Sequence, residues 1–189
     1  HVVAPFGGID RKLPTNPISI ATPGSAENKL FLMDMASSII AEGKLKIKHN
    51  NQEEVEDNLI IDSEGNPTNN TQDFYNDPKG SILSLGGISG HKGFALSLAI
   101  DVISGALSSA GCSHKSKSQH GNACCFIVIN INAFTTLQSF RANINSLEKH
   151  VRSTRLSKGF KKIQFPGEPE TENYKNNKKY GIEIDPITI

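Results

Sequence analysis

Leu85-Gly-Gly-Ile-Ser-Gly-His-Lys-Gly93 runs without a break into Phe94-Ala-Leu-Ser-Leu-Ala-Ile-Asp-Val-Ile103, a glycine-rich turn feeding an apolar helical stretch. Glycines let a backbone approach a ligand closely, and the first turn of a helix carries free N–H groups and a partial positive charge that favour a phosphate or carboxylate. Lys92 adds a full charge there. A plain surface turn with His91 and Lys92 facing solvent accounts for the same residues equally well. Neither the Walker pattern nor the Gly-x-Gly-x-x-Gly dinucleotide fingerprint occurs in the segment. From Phe94 to Ala110 the chain is apolar nearly all round, which predicts a helix buried against a sheet. Asp101 interrupts it, so its carboxylate is either paired across an interface or at the edge of the apolar stripe.

Working outward, Cys125-Phe-Ile-Val-Ile-Asn-Ile131 is rich in aromatic and β-branched residues and is predicted as the central buried strand that anchors the sheet. Ile18–Ala21 and Leu30–Met33 read as further short strands, Val2-Val3-Ala4 as a strand end, and Gly181–Ile184 as a last strand. Ser37 to Lys44 reads as a short helix that Gly43 helps to stop. Phe134, Leu137, Phe140, Ile144, Leu147 and Val151 recur at steps of three and four, predicting an amphipathic helix over 135–154 with Arg141, Lys149 and Arg152 on its polar face. Residues 49–80 read mostly as polar loop around the apolar island Leu59-Ile60-Ile61, with a mobile insertion near 69–75. Ser113 to Asn122 is a second polar loop, with His114, Lys115, Lys117 and His120. Phe165–Glu170 is a stiff turn, and Asn173 to Lys179 is polar. Strands and helices alternate without internal repeats, so the expected class is α/β, a mixed β-sheet flanked by helices, in a single domain over 1–189.

The chain has 189 residues, a formal net charge of +1, 37% hydrophobic and 21% charged residues, which is ordinary for one globular domain. Both signs of charge are spread along it, so nucleic acid is not an expected partner. No window reaches the roughly 18 apolar residues of a membrane span, and His1–Phe6 lacks signal-peptide regions, so the reading is cytoplasmic. Cys112, Cys124 and Cys125 are an odd set that predicts free thiols, and no His or Cys spacing suits a metal. Asp62–Asn66 resembles a calcium loop but has Gly65 at the fourth position instead of the sixth, so calcium is not expected. Asn69-Asn70-Thr71 matches a glycosylation acceptor and reads as loop.

Several segments in fixed order resemble the type 2 malate/L-lactate dehydrogenase family: Val3–Gly8, Thr15–Ile18, Met33–Ser38, Gly43-Lys44, Ile61–Thr68, Gly86-Gly87, His91–Phe94 and Phe165–Glu170. The resemblance implies the family's non-Rossmann NAD(P)-binding fold and hydride transfer between NAD or NADP and a 2-hydroxy or 2-keto acid. It implies that Asp34, Met35, Ala36, Ser37 and Ser38 contact the nucleotide, with Asp34 accepting from ribose hydroxyls and Ser37 and Ser38 donating to phosphate. It further implies that His91, Lys92 and Gly93 contact the coenzyme from a helix start, that Pro166, Gly167 and Glu168 form another coenzyme-lining turn, and that Thr15, Asn16 and Pro17 lie at the substrate and nicotinamide end. Asp34 as a cap of the following helix, and Pro166 in a merely rigid turn, stay open as alternatives.

The family's proton-exchanging His and carboxylate-binding Arg lie in a segment before the matching residues, and neither has a counterpart here. His1 lacks the family's His-x-Gly-x-Ala-Gly context. The expectation is therefore a C-terminal, coenzyme-binding portion of a dehydrogenase, inactive alone. The alternative is a non-catalytic nucleotide-binding module or an inactive truncated homologue. Family members are typically homodimers, and an interface role for the Phe94–Ala110 helix is compatible with that.

Overall fold

The computed structural model describes residues 1–27, 29–115, 121–184 and 187. The chain forms two compact units, the first from His1–Ile18 and Met35–Phe126 and the second from Ser19–Asp34 and Ile127–Ile184. The class is mixed α/β with small sheets and flanking helices. Lys117 and His120 lie outside the described residues.

In the first unit, strands β3 (Ile60–Ile61), β4 (Pro67–Thr68) and β5 (Ser81–Ile82) form a three-stranded antiparallel sheet in the order β4-β3-β5. The apolar island thus becomes the middle strand, and Ile60 pairs with Thr68 on one side and Ile82 on the other. Val3 bridges both Leu13 and Ile82, so the predicted strand end at Val2–Ala4 joins this sheet as a bridge. The core beneath gathers Val3, Leu13, Leu45, Val55, Ile60, Phe74 and Ile82, all buried.

Phe74 belongs to the stretch expected to be a mobile insertion. It sits instead in helix α2 (Thr71–Tyr75), where the Asn70 side chain accepts a hydrogen bond from the Gln72 amide at 3.0 Å and caps the helix. Its ring is completely buried and carries the Arg11 guanidinium 3.9 Å above its centroid. Arg11 donates to the carbonyl oxygens of Gly80 and Phe74, and burial pulls it below its ordinary pKa against the opposing charge of Glu42. Most of 49–80 lies outside helices and strands as expected, but the mobile-insertion reading fails at 71–75, because a few apolar side chains at wide spacing are enough to bury a polar segment. Asp62 closes a turn, accepting from the Glu64 and Asn66 amides and from Asn66 Nδ2.

The predicted helix over 37–44 is displaced. Ser37 and Ser38 are held out of a helix because Ser37 pairs with Thr15 and Leu85 and Ser38 bridges Ser84, while the Ile39 amide donates to Leu83; helix α1 (Glu42–Asn50) starts later, with Gly43 in its first turn. Helix α3 (His91–Ile100) continues into a π-helical segment, Asp101–Ala106. Ser104 Oγ donates back to the Ile100 carbonyl at 2.6 Å, a bond that competes with the α-helical ladder at the widened turns. This element is not buried as expected: Leu98, Val102, Ile103 and Leu107 are all exposed. Asp101 is paired locally, both of its oxygens accepting from the Ser113 amide.

In the second unit, β1 (Ile18–Pro23) and β2 (Leu30–Met35) form a two-stranded sheet where two strands were predicted. Helix α4 (Leu137–Arg152) fills the predicted amphipathic span, with Thr136 Oγ1 accepting from the Ser139 amide at its start. Helix α5 (Glu168–Tyr180) replaces the polar stretch predicted after the Phe165 turn, helped by Pro169 in its first turn and by Glu168 and Glu170 at its positive end. Residues 121–130 form no strand, and Phe126 and Val128 are 88% and 94% exposed, so the expected central strand is corrected to an exposed extended run. Gly181–Ile184 is likewise exposed and outside any strand. The three cysteines are free thiols. No helix among the described residues is long and apolar enough to cross a membrane.

Phe74→Ala should lower the unfolding free energy by about 3–5 kcal/mol, because it removes a fully buried ring and the platform under Arg11. Denaturant unfolding followed by circular dichroism measures this. A loss below about 1 kcal/mol would mean the 69–75 segment is not part of the core.

Candidate functional site

Three sequence segments converge in the first unit. The Thr15 carbonyl accepts from both the Ser37 amide and Ser37 Oγ at 2.9 Å, and Ser37 in turn offers its carbonyl to the Leu85 amide at 2.9 Å. Asn16 adopts a left-handed φ of +31°, a conformation that Asn tolerates better than most residues, and its Nδ2 donates to the Ser97 carbonyl at 3.0 Å and to Ser97 Oγ at 3.1 Å. Ser97 is buried in the second turn of α3. Thr15 and Asn16, the Ser37-Ser38 stretch and the α3 helix are therefore one hydrogen-bonded cluster, while Pro17 is exposed at its margin.

The glycines set how α3 begins. Gly86 takes φ +118° at the head of the turn. A Cβ on Gly93 would lie 2.2 Å from the Leu85 carbonyl oxygen, so only glycine lets the helix pack against the preceding strand end. The first turn has no side-chain cap, and His91 and Lys92 stand exposed beside its free amides. The Phe6 ring meets His91 edge-on at 5.7 Å. Ser84 Oγ, next to Ser38 in a bridge, is buried with no hydrogen-bond partner. Free amides and an adjacent cation form a donor set that suits an anionic group such as a dinucleotide pyrophosphate.

Two expected donors are already committed. Ser37 Oγ donates to Thr15, and Ser38 Oγ donates to the Ile40 carbonyl at 2.8 Å, so both hydroxyls hold the local backbone. Asp34 is exposed within β2, and α1 begins at Glu42 after Ala41 with no side-chain cap, so the capping alternative for Asp34 is excluded. Met35 closes β2, and Ala36 follows it, half-buried, leading into Ser37.

In the second unit the Phe165–Glu168 turn is held by a charged network. Gly167 has φ +93°, and a Cβ there would come within 3.1 Å of the Leu32 Cβ; the Leu32 amide donates to the Pro166 carbonyl at 3.3 Å. One Glu168 oxygen accepts from the Phe165 amide at 3.0 Å and the other pairs with Arg152. Arg152 also pairs with Glu148 at 2.9 Å, and Glu148 accepts from Ser25 Oγ at 2.7 Å and lies 3.6 Å from Lys29. The Ser25 hydroxyl, with Arg152 and Lys29, holds the Glu148 carboxyl below its ordinary pKa; the Phe165 amide, with Arg152, does the same for Glu168. The motif positions marked Pro166, Gly167 and Glu168 but not their supports. Glu148 and Arg152 have i,i+4 spacing on a predicted helix, a signal present in the sequence. Phe6 was marked only by the family-like segment Val3–Gly8, and Ser97 carried no signal.

The chain matches the malate/L-lactate dehydrogenase family over residues 1–189. It is 36% identical over 191 aligned residues to a malate dehydrogenase of Pyrococcus abyssi, covering 97% of this chain and 52% of that protein. The solved structure of a malate dehydrogenase from Pyrococcus horikoshii superposes with a TM-score of 0.78 at 33% identity, covering 97% of this chain and 50% of the other. That of a sulfolactate dehydrogenase from Methanocaldococcus jannaschii also gives 0.78, at 31% identity, over 98% and 52% of the two chains. The chain thus spans about half the length of the relatives it matches.

The network in the second unit makes stability depend on pH. Glu148 and Glu168 have depressed pKa values when folded, so their contribution is present above the unfolded carboxylate value and is lost as pH falls through the folded values. The thermal midpoint should therefore drop between about pH 5 and about pH 3. A chain carrying Glu148→Gln and Glu168→Gln should be less stable at neutral pH and show a shallower drop. Circular dichroism melts across this range check it, and an identical slope in the variant would rule the network out as a source of pH dependence.

Proposed function

The chain belongs to the malate/L-lactate dehydrogenase family, and from that premise we propose that it is the coenzyme-holding portion of an oxidoreductase that moves a hydride between NAD or NADP and a 2-hydroxy or 2-keto acid of the malate or lactate type. The observation that carries this reading is the cluster in the first unit, where Ser37 is bonded to Thr15 and the adjoining Asn16 to Ser97 of the α3 helix, whose uncapped start carries Lys92.

In this reading the amides of His91, Lys92 and Gly93 and the Lys92 ammonium bind the coenzyme's pyrophosphate. Backbone donors at a helix start and a nearby cation each favour a phosphate, and together they fix its position. Asp34, exposed and without a capping duty, accepts from ribose hydroxyls. Ser37 and Ser38 act by fixing the Met35-Ala36 backbone along the nucleotide, since their own hydroxyl protons are engaged. In the second unit the Pro166-Gly167 backbone lines the coenzyme, and Glu168 holds that turn in shape. Thr15, Asn16 and Pro17 face the substrate end. When bound, the nicotinamide supplies the hydride chemistry. The proton exchanged at the substrate hydroxyl, and the cation that holds the substrate carboxylate, are assigned to a His and an Arg outside these residues. Homodimer formation and a cytoplasmic setting belong to the same reading.

Titration calorimetry of the chain with NADH and with NADPH tests it. Binding of at least one is expected, and Lys92→Ala should weaken it about tenfold, the loss of one charge-assisted phosphate contact. Unchanged affinity would remove Lys92 from the site, and no binding of either coenzyme would overturn the reading. Malate or lactate oxidation, followed by the absorbance of reduced coenzyme, should be absent for this chain alone and appear when a relative's N-terminal segment is joined to it. Turnover by the chain alone would show that the proton chemistry lies within it.

A further inference from the structure

We propose that Arg152 is a positioning residue for the Phe165–Glu168 turn, clamping its backbone and neutralising Glu168 so that an anionic coenzyme can lie against it. The proposal rests on the reading that this turn lines the coenzyme.

Arg152 stands in the last turn of α4 and reaches three acceptors at once. Its Nη1 donates to the Ile163 carbonyl at 2.5 Å, just before the turn, while Nη2 bonds Glu168 at its far end and Nη2 and Nε both bond Glu148. The planar guanidinium thus spans the turn from one side to the other, a geometry a lysine cannot reproduce. Its carbon lies 5.7 Å from the centroid of the Phe165 ring, which meets Phe31 edge-on at 5.9 Å. Behind it, Glu148 is only 14% exposed and is itself held by Ser25 and Lys29, so the anchor of the clamp is fixed within the unit.

Charge gives Arg152 its second role. The turn carries a carboxylate, Glu168, at the residue after Gly167, and an anionic ligand lying against that backbone would be repelled by it. Arg152 cancels that charge while leaving the carboxylate free to accept from the Phe165 amide. Without Arg152, Glu168 would lose its hydrogen-bonded cation and keep only the weaker field of Lys162, while Glu148 would keep Lys29. A purely structural arginine would be replaceable by removing the need for it; a neutralising one is compensated specifically by removing the opposite charge.

The experiment uses the 189-residue chain with Arg152→Gln, Arg152→Lys and the double change Arg152→Gln with Glu168→Gln. Circular dichroism confirms folding, and Arg152→Lys supplies the folded comparison should Arg152→Gln unfold. Amide hydrogen exchange over residues 163–168 and NADH binding by fluorescence titration are the readouts. Arg152→Gln should raise exchange in the turn and weaken NADH binding, each about tenfold, as expected for losing charge-assisted hydrogen bonds. Arg152→Lys should recover part of the affinity through its charge but little of the protection. The double variant should also bind NADH more tightly than Arg152→Gln. Equal NADH affinity in folded Arg152→Gln, or unchanged exchange in the turn, would overturn the proposal. If the unmodified chain binds neither NADH nor NADPH, the coenzyme reading fails by itself, and the exchange measurement still decides whether Arg152 holds the turn.

Discussion

One carbonyl oxygen frames the first unit. Thr15 accepts two hydrogen bonds from Ser37, from the amide and from the hydroxyl, and so fixes two stretches of chain against each other at a buried point. Each such bond contributes only about 1 kcal/mol net, but leaving buried donors unpaired costs more than making the bonds gains. The Ser37 carbonyl then takes the Leu85 amide, the Ile39 amide takes the Leu83 carbonyl, and Asn16 is turned into position to reach Ser97. The glycine turn and α3 inherit their placement from this chain of bonds.

The parts of the fold legible in the sequence are those whose pattern is local. Helix α4 followed from apolar residues at steps of three and four, and β1 and β2 from short alternating or dense apolar runs. The failures are of two kinds. Helix α5 and helix α2 are polar segments whose helicity depends on end effects, namely Pro169 with Glu168 and Glu170 in one case and the Asn70 cap in the other. The Cys125–Ile131 run fails for the opposite reason. Its β-propensity is strong, but propensity measures how well side chains fit a half-buried pleated surface, and none covers these residues here.

For the candidate site, motif order located the segments, and the structure distributed the work among them. Sequence gives residue types, so Ser37, Ser38 and Glu168 all looked like groups aimed at a ligand. Their hydrogen bonds are spent on Thr15, Ile40, Phe165 and Arg152, which makes them framework. Lys92 and Asp34 remain as exposed charged groups. The distinction was not readable in advance because it depends on which acceptor lies within about 3 Å, a fact of tertiary geometry.

The order of the units along the chain has a consequence for synthesis. Met35–Phe126 is inserted between the two pieces of the second unit, so β1 and β2 leave the ribosome long before their partners. Leu32 waits for Pro166, and Ser25 waits for Glu148. At roughly 5–20 residues per second, translating the intervening stretch of more than 100 residues takes roughly 5 to 25 s. For that interval the hairpin carrying Ile20 and Leu30 lacks the contacts that later hold it, and by its end the first unit has nearly all of its residues in hand. The contacts of the inserted piece are thus available before those that hold the early hairpin.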